Sequence, residues 1–234
     1  MLVTYLKRKA GKDGQPVYVR KRLAFGGVLL LLLTFVALLR SAPKISGSAC
    51  DGLWLAHLVD KERIPALWVC ARAYQEANWW YVTAMFLVTY IGIKSFAIPA
   101  GFTFCILAGA LYPLPLAQLL TGLGEAVGSS SCYLLSGAFA RPVVERFFAS
   151  KLVLLRSRAV QEREHMLLFN FWLRMTPFLP NWFCNVACPL VGVPLRPFFL
   201  ASLVGTQGSL LFLSLTGATL RCLAALRAQS KTQS

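Results

Sequence analysis

Two ionisable side chains lie deep inside apolar stretches of this chain, where they are expensive to keep. Glu125 stands between 30 uncharged residues (Ser95 to Gly124) and 15 more (Ala126 to Ala140), within GLGEAVGSSS. Arg174 stands between MLLFNFWL and MTPFLPNWF, and Asn181 and Asn185 follow it. An ionised group at the centre of a bilayer costs about 2.5–3.5 kcal/mol even on lenient insertion scales, so such groups pair or line a wet cavity. A guanidinium offers a planar fork of donors suited to phosphate or carboxylate. The amides of Asn181 and Asn185 both donate and accept, and the hydroxyls of Ser129, Ser130 and Ser131 lie beside Glu125. The blander chemistry is also open: Glu125 as an interfacial cap, Arg174 snorkelling from a segment end, and the asparagines satisfying backbone groups freed by nearby prolines.

Catalysis has less to draw on. GxSxG, Walker and HExxH patterns are absent, and the two histidines, His57 and His165, form no recognisable triad. A serine among Ser129 to Ser131 would need a positioned base, so the chain reads as a non-enzyme. Cys184 and Cys188 are four apart, which is not a CxxC, and no metal site or cofactor is expected. Cys105, Cys132 and Cys184 fall in apolar segments and read as small hydrophobes. Cys50 and Cys70 share a polar loop and could pair in an oxidising lumen.

The elements that position these groups follow from composition. The chain is 57% hydrophobic and 14% charged, with mean hydropathy +0.60, against about 25% charged residues in soluble domains. It reads as a membrane protein. The balance of 24 Lys and Arg against 9 Asp and Glu, net +15, predicts contact with anionic phospholipid headgroups and cytosol-facing ends. The bases are scattered between apolar segments, which argues against nucleic acid.

Charges mark the segments. Residues 1–22 form a basic tail, and 23–39 a first transmembrane helix with a cytosolic N-terminus. The small residues of GSAC at 47–50 allow a cleaved signal peptide, but the basic lead and the apolar run favour a retained anchor. Residues 40–76, with balanced charge, predict a luminal loop, and 77–93 a return span opened by Trp79, Trp80 and Tyr81. Pro99, Pro113 and Pro115 interrupt the uncharged run that follows, so a straight helix cannot cross it. The expectation is a re-entrant helix pair over 95–112, then a full span over 114–140; two ordinary spans with a turn at YPLP are the alternative. Val144, Phe147, Phe148, Leu152, Leu155 and Ala159 recur at helical spacing and predict a surface amphipathic helix over 141–165. A second hairpin over 166–192 contains Pro177 and Pro180, a further uncharged run covers 197–220, and 221–234 is a basic tail.

Shifting the chain by 81 residues sets Pro99 on Pro180, Phe102 on Phe183, Pro113 on Pro194, Leu114 on Leu195, Leu119 on Leu200 and Gly124 on Gly205. Gly124 and Gly128 form a GxxxG that permits close helix approach. Paired broken segments in corresponding halves point to an inverted-repeat transport fold with its site near the midplane. The fold class is therefore all-α: a polytopic helical membrane protein with two re-entrant helix hairpins in an internal, inverted repeat. Both termini would then be cytosolic.

The strings YPLPLA, GSSSCYLLSGAFARPVVERF, and REH followed by FWLRMTPFLPNWFCNVACPLVGVPLRPFF resemble the VTT domain of the DedA superfamily. They are most similar to its eukaryotic endoplasmic-reticulum branch, the transmembrane protein 41 group. The resemblance covers about residues 80–220 and places a VTT membrane domain at 77–220. It implies two opposed re-entrant hairpins and energy-independent phospholipid scrambling in the reticulum membrane, supporting autophagosome formation and lipid distribution. By the same resemblance the family's arginine falls on Arg174, its prolines on Pro177 and Pro180, its asparagines on Asn181 and Asn185, and its glycine-rich span on Gly124 and Gly128. Bacterial relatives are thought to be proton-coupled carriers of a phosphorylated lipid, so a secondary transporter of such a lipid or a small anion is the alternative function. Two departures bear on it: the usual Gly-Arg is Ala140-Arg141 here, and residues 95–124 contain no acid. A third reading is an assembly factor that shapes membranes through 141–165. Phospholipids are the expected partners, with a homo-oligomer or other membrane proteins compatible.

Overall fold

Proline, charge and small residues decide where helices stop and where they touch. The structure, a computed structural model, describes residues 17–44, 64–175 and 179–232, and all regular structure among them is helical. Helix α1 runs Val17–Arg40, α2 Ile64–Ala77, α3 Trp79–Ser95, α4 Gly101–Leu111 and α5 Leu114–Leu135. A π-helical turn, Ser136–Ala140, leads into α6 (Arg141–Phe147) and α7 (Ala149–Gln161). A 3₁₀ turn, Arg163–His165, precedes α8 (Met166–Met175), α9 (Asn181–Val191), α10 (Leu195–Gly205) and α11 (Gln207–Thr232). Pro113, Pro180 and Pro194 are the residues just before α5, α9 and α10, where a fixed φ and a missing N–H cost nothing. Pro99 lies in the break between α3 and α4, and Pro177 lies outside the described residues.

Two turns need left-handed backbone. Gly192 caps α9 with φ 88°, and Val193 N–H reaches back to Cys188 O at 3.2 Å. At the end of α3 the same geometry falls on Ala97, φ 56°. There Ile98 N–H donates to Ile93 O at 3.0 Å, and Ala97 N–H to Lys94 O at 3.2 Å. Without glycine this capping motif costs about 1–2 kcal/mol, a local strain beside the polar cluster described below.

Contacts between the helices give the bundle two ends. At one, Phe25 of α1 stacks edge-on with Phe139 at 5.3 Å, Tyr133 donates to Val193 O at 2.6 Å, and Arg156 of α7 to Leu190 O at 3.3 Å. At the other, Tyr74 donates to Pro43 O at 3.1 Å, Arg72 and Gln75 reach Leu111 O at 3.1 and 2.9 Å, and Arg221 reaches Tyr112 O at 3.2 Å. Helices α3 and α4 thus start and finish at the second end, and α8 and α9 at the first. The run from Leu195 to Leu226 is long and apolar enough to cross a membrane, and it passes from the first end to the second. The described part of α11 leaves the bundle at the end opposite the start of α1.

Other boundaries shift for local reasons. Residues 64–77 of the expected loop are helix α2; 45–63, including Cys50, lie outside the described residues. Cys70 is disulfide-bonded, while Cys105, Cys132, Cys184, Cys188 and Cys222 are free. Residues 95–112 hold one helix, α4, whose N-terminal neighbour is α3. The expected single helix over 141–165 breaks at Phe148 (φ −130°, ψ 30°). Its inner face, Val144, Leu152, Leu155 and Ala159, is buried against protein, notably α9, and Phe147 points outward. Helix α1 begins inside the basic tail and α11 continues through the expected C-terminal tail to Thr232.

Large apolar side chains cover the outside: Phe25, Leu30, Phe102, Val153, Phe212 and Leu226 are all more than half exposed. Such a surface suits lipid as solvent. In lipid, helices associate through close packing at small residues. Helix α4 packs on α11, where a Cβ on Gly109 would collide with Ser214 O and one on Gly217 with Ile106 O. Backbone cannot swing aside as a side chain can. Gly217→Val is therefore expected to destabilise by about 1–3 kcal/mol or more through overpacking. Gly208→Val, on the same helix with nothing within 4 Å of its added carbon, is the control. Thermal unfolding in detergent checks the difference; equal melting of the two variants would contradict this packing.

Candidate functional site

Three helices each offer a pair of polar side chains four residues apart, hence on one face. Helix α5 supplies Glu125 and Ser129, α3 supplies Tyr90 and Lys94, and α9 supplies Asn181 and Asn185. These pairs meet with Arg174, from the last turn of α8. Glu125 is the twelfth of the 22 residues of α5, so the meeting point is about halfway along a helix roughly 33 Å long.

Each oxygen of the fully buried Glu125 carboxylate takes two donors. Oε2 accepts from Lys94 Nζ at 2.5 Å and from Tyr90 OH at 3.1 Å. Oε1 accepts from Ser129 Oγ at 2.9 Å and Asn181 Nδ2 at 2.8 Å. Asn181 also carries the link onward: its Oδ1 accepts from Arg174 Nη1 at 2.7 Å, and Asn185 Oδ1 accepts from Arg174 Nη2 at 3.0 Å. The guanidinium lies 4.7 Å from the ring centre of Phe198, a cation–π contact. Both cations sit at helix C-termini, where the macrodipole favours positive charge.

The glycines are part of the construction. A Cβ on Gly124 would meet the Tyr90 ring, and one on Gly128 would come 2.5 Å from Lys94 Cβ and 3.1 Å from Ile91 O. The GxxxG is thus the surface on which α3 lies against α5. Gly205 plays the milder counterpart, with Phe171 Cδ2 at 3.4 Å and Arg174 Cβ at 3.5 Å from an added carbon. A cavity of about 190 Å³ adjoins the cluster, lined by Lys94, Pro99, Gly101, Phe102, Asn181 and Asn185 among others. It lies where the α3–α4 break faces the N-terminus of α9.

Among the residues singled out by sequence, the structure brings Glu125, Ser129, Arg174, Asn181 and Asn185 into one network. Ser131 turns away and donates to Val127 O at 3.0 Å. Ser130 borders a separate hollow of about 360 Å³ with Leu195, Arg196, Phe199 and Leu200. Tyr90 and Lys94 were missed, because a lysine closing an apolar run reads as an interfacial anchor. A signal was present: an offset of 80 residues, one less than the proline match, sets Lys94 on Arg174 and the start of α4 on the start of α9. Among the described residues no cluster of His, Cys, Asp and Glu could hold a metal ion.

Comparison with known proteins adds relatives. Residues 98–219 match the VTT domain. Transmembrane protein 41B of Homo sapiens is 38% identical over 146 residues, covering 62% of this chain and 50% of that protein. The protein of the same name from Gallus gallus is 34% identical over 183 residues, covering 76% of this chain and 67% of its own length. For Xenopus laevis the figures are 38% over 146 residues, 62% and 52%. The matched region thus spans about half the length of the human and frog relatives. No solved structure matches.

Proposed function

The chain belongs to the VTT domain family, and from that premise we propose that it is a phospholipid scramblase of the endoplasmic reticulum membrane, working without energy input. The observation that carries this reading is the Glu125 cluster. A buried carboxylate, two cations and two amides are held about halfway along α5 and adjoin a groove lined by both apolar and polar side chains. A headgroup sliding through that groove would exchange water for Lys94, Asn181 and Asn185 while its acyl chains stay in lipid. The favourable exchange of hydration for fixed dipoles lowers the barrier to crossing, and no fuel is needed because the lipid moves down its own gradient.

Sidedness supports an inverted arrangement. The basic N-terminal residues favour the cytosol for the Phe25–Phe139 end. Disulfide chemistry at Cys70 suits an oxidising lumen at the other end. Helices α3–α4 would then re-enter from the lumen and α8–α9 from the cytosol, as two opposed hairpins. The C-terminal end of α11 would be luminal.

The rival carrier reading draws on the same buried carboxylate. All four of its partners donate to it, however, and two of them, Lys94 and Asn181, bring no hydroxyl, an arrangement that favours a carboxylate that stays ionised. The test is reconstitution of the purified chain into vesicles with fluorescent phospholipid in both leaflets. Dithionite is expected to bleach nearly all the label with no pH gradient imposed. Bleaching that stops at the outer-leaflet fraction sinks the proposal, and transport that appears only with a pH gradient favours the carrier.

A further inference from the structure

Resting on that scramblase reading, we propose that Lys94 is the side chain that meets the lipid phosphate, and that the site is matched to a phosphodiester carrying one negative charge. Arg174, the obvious candidate, is already engaged: two of its nitrogens bond Asn181 and Asn185, and its face lies on Phe198. Lys94 is differently placed. It lines the groove, and its side chain keeps 16% exposure while its partner Glu125 has none. A lysine ammonium is a compact point charge on a flexible stem and can change partners by rotation alone.

Two glycines reserve the room for that stem. A Cβ on Gly101 would lie 2.5 Å from Lys94 Cε and 2.7 Å from Nζ, and one on Gly128 would lie 2.5 Å from its Cβ. The turn that carries the lysine is held by the Ala97 capping motif, one of whose bonds ends on Lys94 O itself. If Nζ swings to a phosphate, Glu125 keeps Tyr90, Ser129 and Asn181 as donors. Lys94 can therefore exchange without stranding the carboxylate.

The charge count names the class of headgroup. Lys94 and Arg174 against Glu125 leave one net positive charge in the cluster. A phosphodiester brings one negative charge and neutralises it. A lipid phosphomonoester carries about 1.5–2 negative charges near neutral pH and overshoots.

The experiment uses the full-length chain in vesicles holding one of three labelled lipids: a phosphodiester (phosphatidylglycerol), a monoester (phosphatidic acid), or a glycosylceramide with no phosphate. Lys94→Gln is expected to slow phosphatidylglycerol by about tenfold or more, the loss of one charge-assisted contact, and to slow the glycosylceramide by a much smaller factor. Gly101→Ala, which displaces the ammonium without removing it, is expected to shift the ratio of the two rates in the same direction. The wild type is expected to move phosphatidylglycerol faster than phosphatidic acid. Equal slowing of both lipids in Lys94→Gln, or of neither, overturns the role of Lys94 alone, provided the wild type scrambles. Phosphatidic acid moving as fast as phosphatidylglycerol overturns the charge match. A wild type that moves none of the three removes the scramblase reading and this proposal with it.

Discussion

Glu125→Ala is expected to destabilise the protein by about 3–5 kcal/mol, the cost of leaving one member of a buried ion pair without its partner. The carboxylate sits at the junction of three helices, taking Lys94 and Tyr90 from α3, Ser129 from its own α5 and Asn181 from α9. Removing it leaves an ammonium with 16% exposure and no counter-charge. It also leaves three buried or partly buried donors without their shared acceptor. The double variant Glu125→Gln with Lys94→Gln removes both charges and keeps hydrogen-bonding groups in place. It should recover most of the loss, since exchanging both members of a buried pair is often near neutral. Thermal unfolding followed by size-exclusion chromatography in detergent reads both. Glu125→Ala melting with the wild type would show that the cluster contributes nothing to the fold.

Much of this site was legible in the sequence because burial of charge is costly. Glu125 and Arg174 stood out as ions in apolar surroundings, and Asn181 and Asn185 as amides among prolines. Pro113 also marked the start of α5 near Leu114, and Pro180 and Pro194 turn out to stand just before α9 and α10, since a residue without an N–H is best placed just before or within a first turn. Lys94 escaped notice because a lysine at the end of an apolar run usually snorkels to water. Here α3 ends inside the protein, where the ammonium meets Glu125. Helix α2 escaped because balanced charges resemble a loop. In the structure Arg72 pairs with Glu76 at 3.5 Å, one helical turn away, and with Gln75 it caps the carbonyl of Leu111. The surface helix was half legible. Its periodicity found the buried residues Val144, Leu152, Leu155 and Ala159, but nothing in the spacing announced the break at Phe148.

Arg174→Ala is expected to have the largest effect on transport. The guanidinium provides the positive charge left over once Lys94 and Glu125 are paired, and it orients both amides that face the groove. Without it the cluster is neutral, Asn185 loses the donor on its Oδ1, and Asn181 keeps only its bond to Glu125. Two charge-assisted hydrogen bonds at about 1.5–3 kcal/mol each correspond to a fall of about tenfold to several hundredfold in rate if even part of that energy is used in crossing. The fold should tolerate the change better than Glu125→Ala, because the amides left behind can hydrogen-bond one another or water.

Lipid headgroups, on the proposed mechanism, cross at this cluster. The most direct test is the initial dithionite bleaching rate of labelled phosphatidylglycerol in vesicles carrying equal amounts of folded wild type or Arg174→Ala. Bleaching of nearly all the label is expected for the wild type, and a rate at least about tenfold lower for the variant. A folded Arg174→Ala protein that scrambles as fast as the wild type would place the lipid path elsewhere in the molecule.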